Sequence, residues 1–364
     1  MRRVLMVLTA AVLTAGCGGG ADEPATWTAV PAGPLAPRHS AVAVWVGGRF
    51  VVVGGRSGPP CPPGAGCAAP AEPALRDGAI LDPAAGTWTR IAAAPVPVAA
   101  PGSAPVVVGD RVYLLTGTPA AFLSYDPATD RWQRLRPPPV EGGLVAAGET
   151  VLVVPFQSGR GADAAFDPRS GSWRSLPRDP LGPSFDRFAV PLGDRVLLTA
   201  KELVPDPGAD APALVRLAAL DTGLTRWSEL PDSEIIGTGP VAAAGRVVWP
   251  YTGSADGGGT GNWGRSYPEG GILDPATGSW QPLPAVPWPA QPTTCCAAAV
   301  GDRVLVDGHL LQPATREWTR VPPLPGGVRL DAATTAGPDL LLVWGGATEN
   351  DYRTTLATGY LLRP

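Results

Sequence analysis

The chain has 364 residues, among them Gly 47 and Pro 45. Glycine and proline at that level without a period would signal disorder, but hydrophobic residues make up 45%, enough for a large core, so where the glycines and prolines fall decides the matter. The formal charge is −4 (Lys+Arg 28, Asp+Glu 32), which speaks against a phosphate-neutralising basic surface, and two histidines, His39 and His309, exclude a three-histidine metal site.

Met1-Arg2-Arg3 is a short positive region, and Val4 to Ala15 is an apolar run too short to span a bilayer as a mature helix. This is the layout of a secretory signal, and it ends in Leu13-Thr14-Ala15-Gly16-Cys17. The segment resembles the lipobox of bacterial lipoproteins, with Thr14 where Ala or Ser is commoner. The resemblance implies that residues 1–16 are removed and that Cys17 carries diacylglyceryl, placing the protein on the outer face of the bacterial cytoplasmic membrane. The alternative is an ordinary secretory signal in which Cys17 is incidental. Residues 17–26 then form a Gly/Ala/Pro-containing tether reaching roughly 30 Å.

From residue 27 onward one motif recurs. It reads Leu81-Asp82-Pro83-Ala84-Ala85-Gly86-Thr87-Trp88 and returns with Asp126-Pro127 before Trp132, Asp167-Pro168 before Trp173, Asp221-Thr222 before Trp227 and Asp274-Pro275 before Trp280. A sixth copy, Gln312-Pro313 before Trp318, has lost the Asp. The chemistry is that of a hairpin: the carboxylate accepts a turn N–H, proline presets φ, and glycine tolerates a left-handed backbone. The Trp opens the returning strand and buries a large ring. Before each motif stands a polar turn with a β-branched or leucine-rich run, as in Gly109-Asp110-Arg111-Val112-Tyr113-Leu114-Leu115, preceded in several units by a run of small residues.

Each unit therefore reads as four strands, and no window of the mature chain offers a helix-length apolar period free of Gly and Pro. The motif Trp residues are spaced 44, 41, 54, 53 and 38 apart, the period of propeller blades. The predicted blades are 38–92, 102–136, 143–177, 186–231, 238–284 and 292–322, with a seventh set from Val328 that lacks a Trp-bearing fourth strand. Residues 27–30 form a fourth strand with no blade of its own, so the expectation is an all-β, seven-bladed ring over residues 27–364. The N-terminal strand would complete the C-terminal blade beside residues 359–363 and leave no free edge. Arg38-His39-Ser40, Gly54-Gly55, Gly345-Gly346 and the Asp-Pro…Trp hairpins resemble the Kelch repeat and the related galactose-oxidase-type central domain. The double glycine survives only in blades one and seven. That resemblance implies fold more than activity.

Cys61 and Cys67 flank five residues of a Pro/Gly loop, and in an exported chain they read as a disulfide. Cys295 and Cys296 are adjacent on or near an inner strand. They are either a vicinal disulfide at a local distortion or two small buried thiols.

Loops joining second and third strands open on the same face as the links between blades. They are long in blades one, four, five and seven, which points to a recognition surface there. Rim candidates on the incoming links are Arg38, His39, Asp186, Arg187, Glu234, Arg329 and Asp331; Trp263, Tyr267, Trp288 and Tyr352 are candidate stacking faces. The leading expectation is a membrane-tethered module that binds carbohydrate, peptide or a cell-surface protein and needs no cofactor or metal. The alternative is an exported glycan- or sugar-modifying enzyme of lyase or epimerase type, with His39, Asp186 and Glu234 as acid/base candidates. The glycine run 257–261 lacks the ending and strand-to-helix context of a phosphate loop, and no motif supports a copper-radical site.

Overall fold

A computed structural model describes residues 24–61, 73–100, 104–117, 120–203, 212–252, 267–268, 270–289 and 297–364. Strands dominate it, gathered into seven four-stranded antiparallel sheets, with one two-stranded and one three-stranded extension, among the described residues.

Sheet one consists of Val42–Val46, Arg49–Val53, Gly78–Asp82 and Thr87–Ile91. Sheet two is Val106–Val108, Arg111–Thr116, Ala121–Asp126 and Arg131–Leu135. Sheet three is Gly143–Ala147, Thr150–Val154, Ala164–Asp167 and Ser172–Ser175. Sheet four is Ser184–Leu192, Arg195–Glu202, Val215–Leu220 and Trp227–Glu229. Sheet five is Val241–Ala243, Arg246–Trp249, Gly271–Asp274 and Ser279–Pro282. Sheet six is Ala298–Val300, Arg303–Val306, His309–Gln312 and Glu317–Arg320. Sheet seven is Ala333–Ala336, Leu341–Trp344, Gly359–Arg363 and, as its outer strand, Thr26–Ala29.

The arrangement is propeller-like. The first strands touch in a closed cycle from sheet one through sheet seven and back. Each contact between neighbouring sheets carries its own apolar cluster, including the one in which Phe50, Val52 and Leu81 of sheet one meet Leu342 and Trp344 of sheet seven. Because every sheet is covered on both faces, the middle strands read as unbroken apolar runs such as Phe50-Val51-Val52-Val53, all four residues buried.

The N-terminal strand closes the ring as the orphan-strand argument requires. Trp27 lies opposite Leu362 and Thr28 opposite Leu361, so the third strand of sheet seven has a partner along its outer side. Trp27 also packs beside Leu341 and Leu362 in the cluster between sheets six and seven.

The hairpins behave as their chemistry predicts. Asp82 Oδ1 accepts from the N–H groups of Ala84 (3.0 Å) and Ala85 (2.9 Å). In the copy without Asp, Gln312 Oε1 accepts from Ala314 N–H at 3.1 Å. Backbone N–H donation from Arg169 to Asp167 and from Thr225 to Asp221 lowers both carboxyls below the ordinary value.

The Trp residues do more than fill space. Each of the six hairpin Trp residues, and Trp27, donates its indole N–H to a backbone carbonyl in the link leaving the preceding sheet: Trp88 to Pro31, Trp132 to Ala92, Trp173 to Arg136, Trp227 to Pro177, Trp280 to Pro231, Trp318 to Pro284 and Trp27 to Pro322, at 2.8 to 3.5 Å. Every acceptor lies four residues past the Trp of the preceding sheet. The clasp runs around the whole ring, and through Trp27 it ties the N-terminal strand to the link leaving sheet six.

Candidate functional site

The ring has two unlike faces. On one, Asp-Pro turns and tight hairpins such as that at Gly109 (φ 59°) join the strands. On the other lie the links between sheets and the loops between second and third strands. On this second face three buried arginines fill corresponding corners, each bonded to the carbonyl just after a second strand and to the residue just before a third.

Arg38 Nη1 donates to Gly54 O (3.0 Å), and its guanidinium takes Asp77 in a two-pronged pair at 2.7 and 3.0 Å. Arg187 Nη1 donates to Pro155 O (2.9 Å) and pairs with Asp163 at 3.0 and 2.9 Å; its Nη2 also reaches Asp179 at 3.0 Å. Arg329 donates to Gly345 O (3.2 Å) and Thr358 Oγ1 (3.2 Å), with its guanidinium 5.6 Å from the Tyr360 ring. The hydrogen bond from Arg38 holds the Asp77 carboxyl below its usual range. Burial pushes the Asp163 carboxyl up, against the pull of Arg187. Burial pulls Arg329 down, and among the described residues no carboxylate pairs with it.

These three side chains, expected to be polar groups of the rim, are thus buried braces; of the three, Arg187 alone lines the larger cavities described below. His39 is also buried. Its Nδ1 lies 2.8 Å from Ser40 Oγ and 3.6 Å from Asp331 Oδ2, tying the link into sheet one to the link into sheet seven. Asp186 pairs at 3.2 Å with the buried Lys201 ammonium. Glu234 is exposed on the link into sheet five. The acid/base candidates His39, Asp186 and Glu234 accordingly sit at the starts of three different sheets.

Among the aromatic candidates, Tyr267 is buried and packs with Ile236 and Leu214. Trp288 is half-buried and stacks on the fully buried His309 ring, centroids 5.4 Å apart and planes 6° from parallel. Tyr352 is half-buried, with the Arg353 guanidinium 6.0 Å from its ring. Trp263, Cys17, Cys67, Cys295 and Cys296 lie outside the described residues.

The concave surface lies elsewhere on the same face, across sheets two, three and four. A cavity of about 740 Å³ opens between the Leu115–Ala121 corner of sheet two and the link Pro137-Pro138-Pro139-Val140-Glu141-Gly142. A second of about 280 Å³ lies over the inner strands at Leu144 and Phe188. A third of about 610 Å³ lies over Asp163, Asp179 and Leu203. Phe156 lines the first two and Arg187 the last two, so the three lie side by side as a segmented groove that shares these walls. Phe156 is 53% exposed and Leu203 36%, and both sit in this groove.

Sequence reasoning missed Phe156, Glu141 and the proline wall because it followed loop length. The available signal was a phenylalanine placed after Pro155, just beyond the apolar run Thr150–Val154, where no hairpin needs one. Among the described residues, no group of three or more His, Cys, Asp or Glu is placed to hold a metal ion, and no helix is long and apolar enough to cross a membrane. No protein family model matches the chain, and no curated protein matches it in sequence.

Proposed function

We propose that this protein is a seven-bladed, Kelch-like propeller, exported and lipid-anchored through Cys17, that binds an extracytoplasmic ligand in the groove over sheets two to four. The observation that carries the reading is three cavities side by side on one face, sharing Phe156 and Arg187 as walls, with a large aromatic left half-exposed among them.

Strand direction supports the anchoring geometry. Thr26 lies opposite Arg363, at the end of sheet seven on the hairpin-turn face, so a tether of residues 17–26 leaves from the face opposite the groove. A lipid at Cys17 then turns the groove away from the bilayer. The reading includes a disulfide between Cys61 and Cys67, a bridge that fits an oxidising compartment.

The test has two arms. Cys17→Ser should move the protein from the membrane to the soluble fraction with an unchanged melting temperature; unchanged fractionation removes the anchor. The soluble variant should then bind members of a combined glycan and peptide array, and Phe156→Ala should abolish that binding. Hits that survive Phe156→Ala would place the ligand outside the groove.

A further inference from the structure

We infer that the 740 Å³ cavity takes the basic side chain, Lys or Arg, of an extended polypeptide, an inference that rests on the groove reading above. Three features of its lining carry it.

The first is the hydrogen-bonding character of the wall. Pro137, Pro138 and Pro139 have no backbone N–H, so this stretch of the wall accepts hydrogen bonds and donates none. The Thr116 hydroxyl is already turned to Ala121 O at 3.4 Å. A sugar needs donors as well as acceptors for its hydroxyl oxygens, and against this wall those oxygens lose their partners to water. The second is charge. Among the described lining residues Glu141 is the one charged group, and it is exposed. It repels phosphate and carboxylate and attracts an ammonium or guanidinium. The third is the apolar remainder. Leu115, Ala121, Val140 and the exposed ring of Phe156 cover the aliphatic stem of a basic side chain, and the ring face adds attraction for its cationic head.

The groove argues for a polypeptide over a free amine. Past Phe156 lie the 280 Å³ cavity and then the 610 Å³ one, where Ser158, Arg178 and Asp179 supply donors and acceptors. A side chain seated beside Glu141 thus has a path for its main chain in that direction.

The experiment uses the full mature chain carrying Cys17→Ser and four capped peptides that differ only at the central residue: Lys, Arg, norleucine or Glu. Hexylamine and neutral oligosaccharides complete the set. The Lys and Arg peptides should bind about tenfold or more tightly than the norleucine peptide and than hexylamine, and added salt should weaken them. Glu141→Gln, a surface exchange that conserves shape, should erase the Lys-over-norleucine preference and leave the norleucine peptide unaffected. Equal binding of norleucine and Lys, or Lys binding indifferent to Glu141→Gln, overturns the inference. Hexylamine binding as tightly as the Lys peptide overturns the polypeptide part. No binding of any basic peptide overturns the whole inference. If an oligosaccharide binds instead and Phe156→Ala abolishes it, the inference falls and the groove reading stands; if binding ignores both Phe156→Ala and Glu141→Gln, both fall.

Discussion

The seam between sheets seven and one and the junction of sheets two and three treat the same structural problem in opposite ways. At the seam the corners between second and third strands are closed. Arg38 bridges Gly54 and Asp77, Arg329 bridges Gly345 and Thr358, and backbone bonds such as Gly55 N–H to Val98 O (2.8 Å) seal the space above. In sheet two the second strand ends at Thr116 and the third begins at Ala121; among the described residues no cation lines the corner, and the proline link beyond it walls a cavity. Extra loop length at sheets one and seven comes with corners that are filled, whereas the short corner of sheet two is left open. The corner of sheet three stands between the two: Arg187 braces it and also lines two of the cavities.

The seam is where the ring should be most vulnerable. Starting the chain at Pro31 removes the paired strand Thr26–Ala29 and the Trp27 clasp to Pro322. It also exposes the edge of Gly359–Arg363. The expected result is loss of a large share of the roughly 5–15 kcal/mol that keeps a domain folded, read as a collapsed or broadened thermal transition. A full-height transition at the parent temperature would show that the strand is dispensable.

Next in size are the braces, and burial ranks them. Asp163 and Arg187 are 4% and 3% exposed, so Asp163→Ala leaves a guanidinium buried with Asp179 as its remaining carboxylate and should cost about 3–5 kcal/mol. Asp77 is 39% exposed, water can replace it, and Asp77→Ala should cost about 1–3 kcal/mol. Equal losses in chemical denaturation would mean that burial does not set the strength of these corners. The Asp77 contribution also has a pH signature. Its folded carboxyl lies below the unfolded value of about 3.9, so its stabilisation is complete above that value and is lost as pH falls through the folded one. Asp77→Asn should flatten the acid limb of the stability profile by that amount.

Smaller again is a gain. Arg329 occupies the corner that Arg38 and Arg187 occupy elsewhere, but the residue before its third strand is Thr358 where the others have Asp77 and Asp163. Thr358→Asp should supply the missing carboxylate and stabilise the protein by about 1 kcal/mol. Destabilisation would mean that the sheet-seven corner cannot admit the two-pronged pair.

What was legible in the residues follows from range. The Asp-Pro hairpins act within five residues, and the orphan strand at Trp27 follows from strand bookkeeping, so the repeated sheets and the pairing of residues 27–29 with the C-terminal strand could be read directly. The Trp clasp was half legible: the rings stood out, but their acceptors lie in the neighbouring sheet. The partners of the charged rim candidates were not legible, because residue type does not reveal partner. Arg38 finds Asp77 and Arg187 finds Asp163 across loops whose fold no local pattern encodes. The groove was invisible for a related reason. A cavity is what remains when a corner is left unfilled, and no single residue announces it.

The smallest expected effect on stability separates the two kinds of corner most sharply. Phe156 sits at the centre of the groove, held through its backbone carbonyl by Arg187 N–H at 3.1 Å, while its ring is 53% exposed and 6.2 Å from Phe188. Phe156→Ser leaves that backbone bond and removes a ring already half in water, so the change should stay within about 0.5 kcal/mol. Phe166, buried in sheet three against Phe122, provides the contrast, and Phe166→Ala should cost about 3–5 kcal/mol. If Phe156→Ser unfolds the protein as readily as Phe166→Ala, the ring belongs to the core and the open junction of sheets two and three is a packing defect. If it leaves the melting curve in place, the ring is no part of the core and stays available to a ligand.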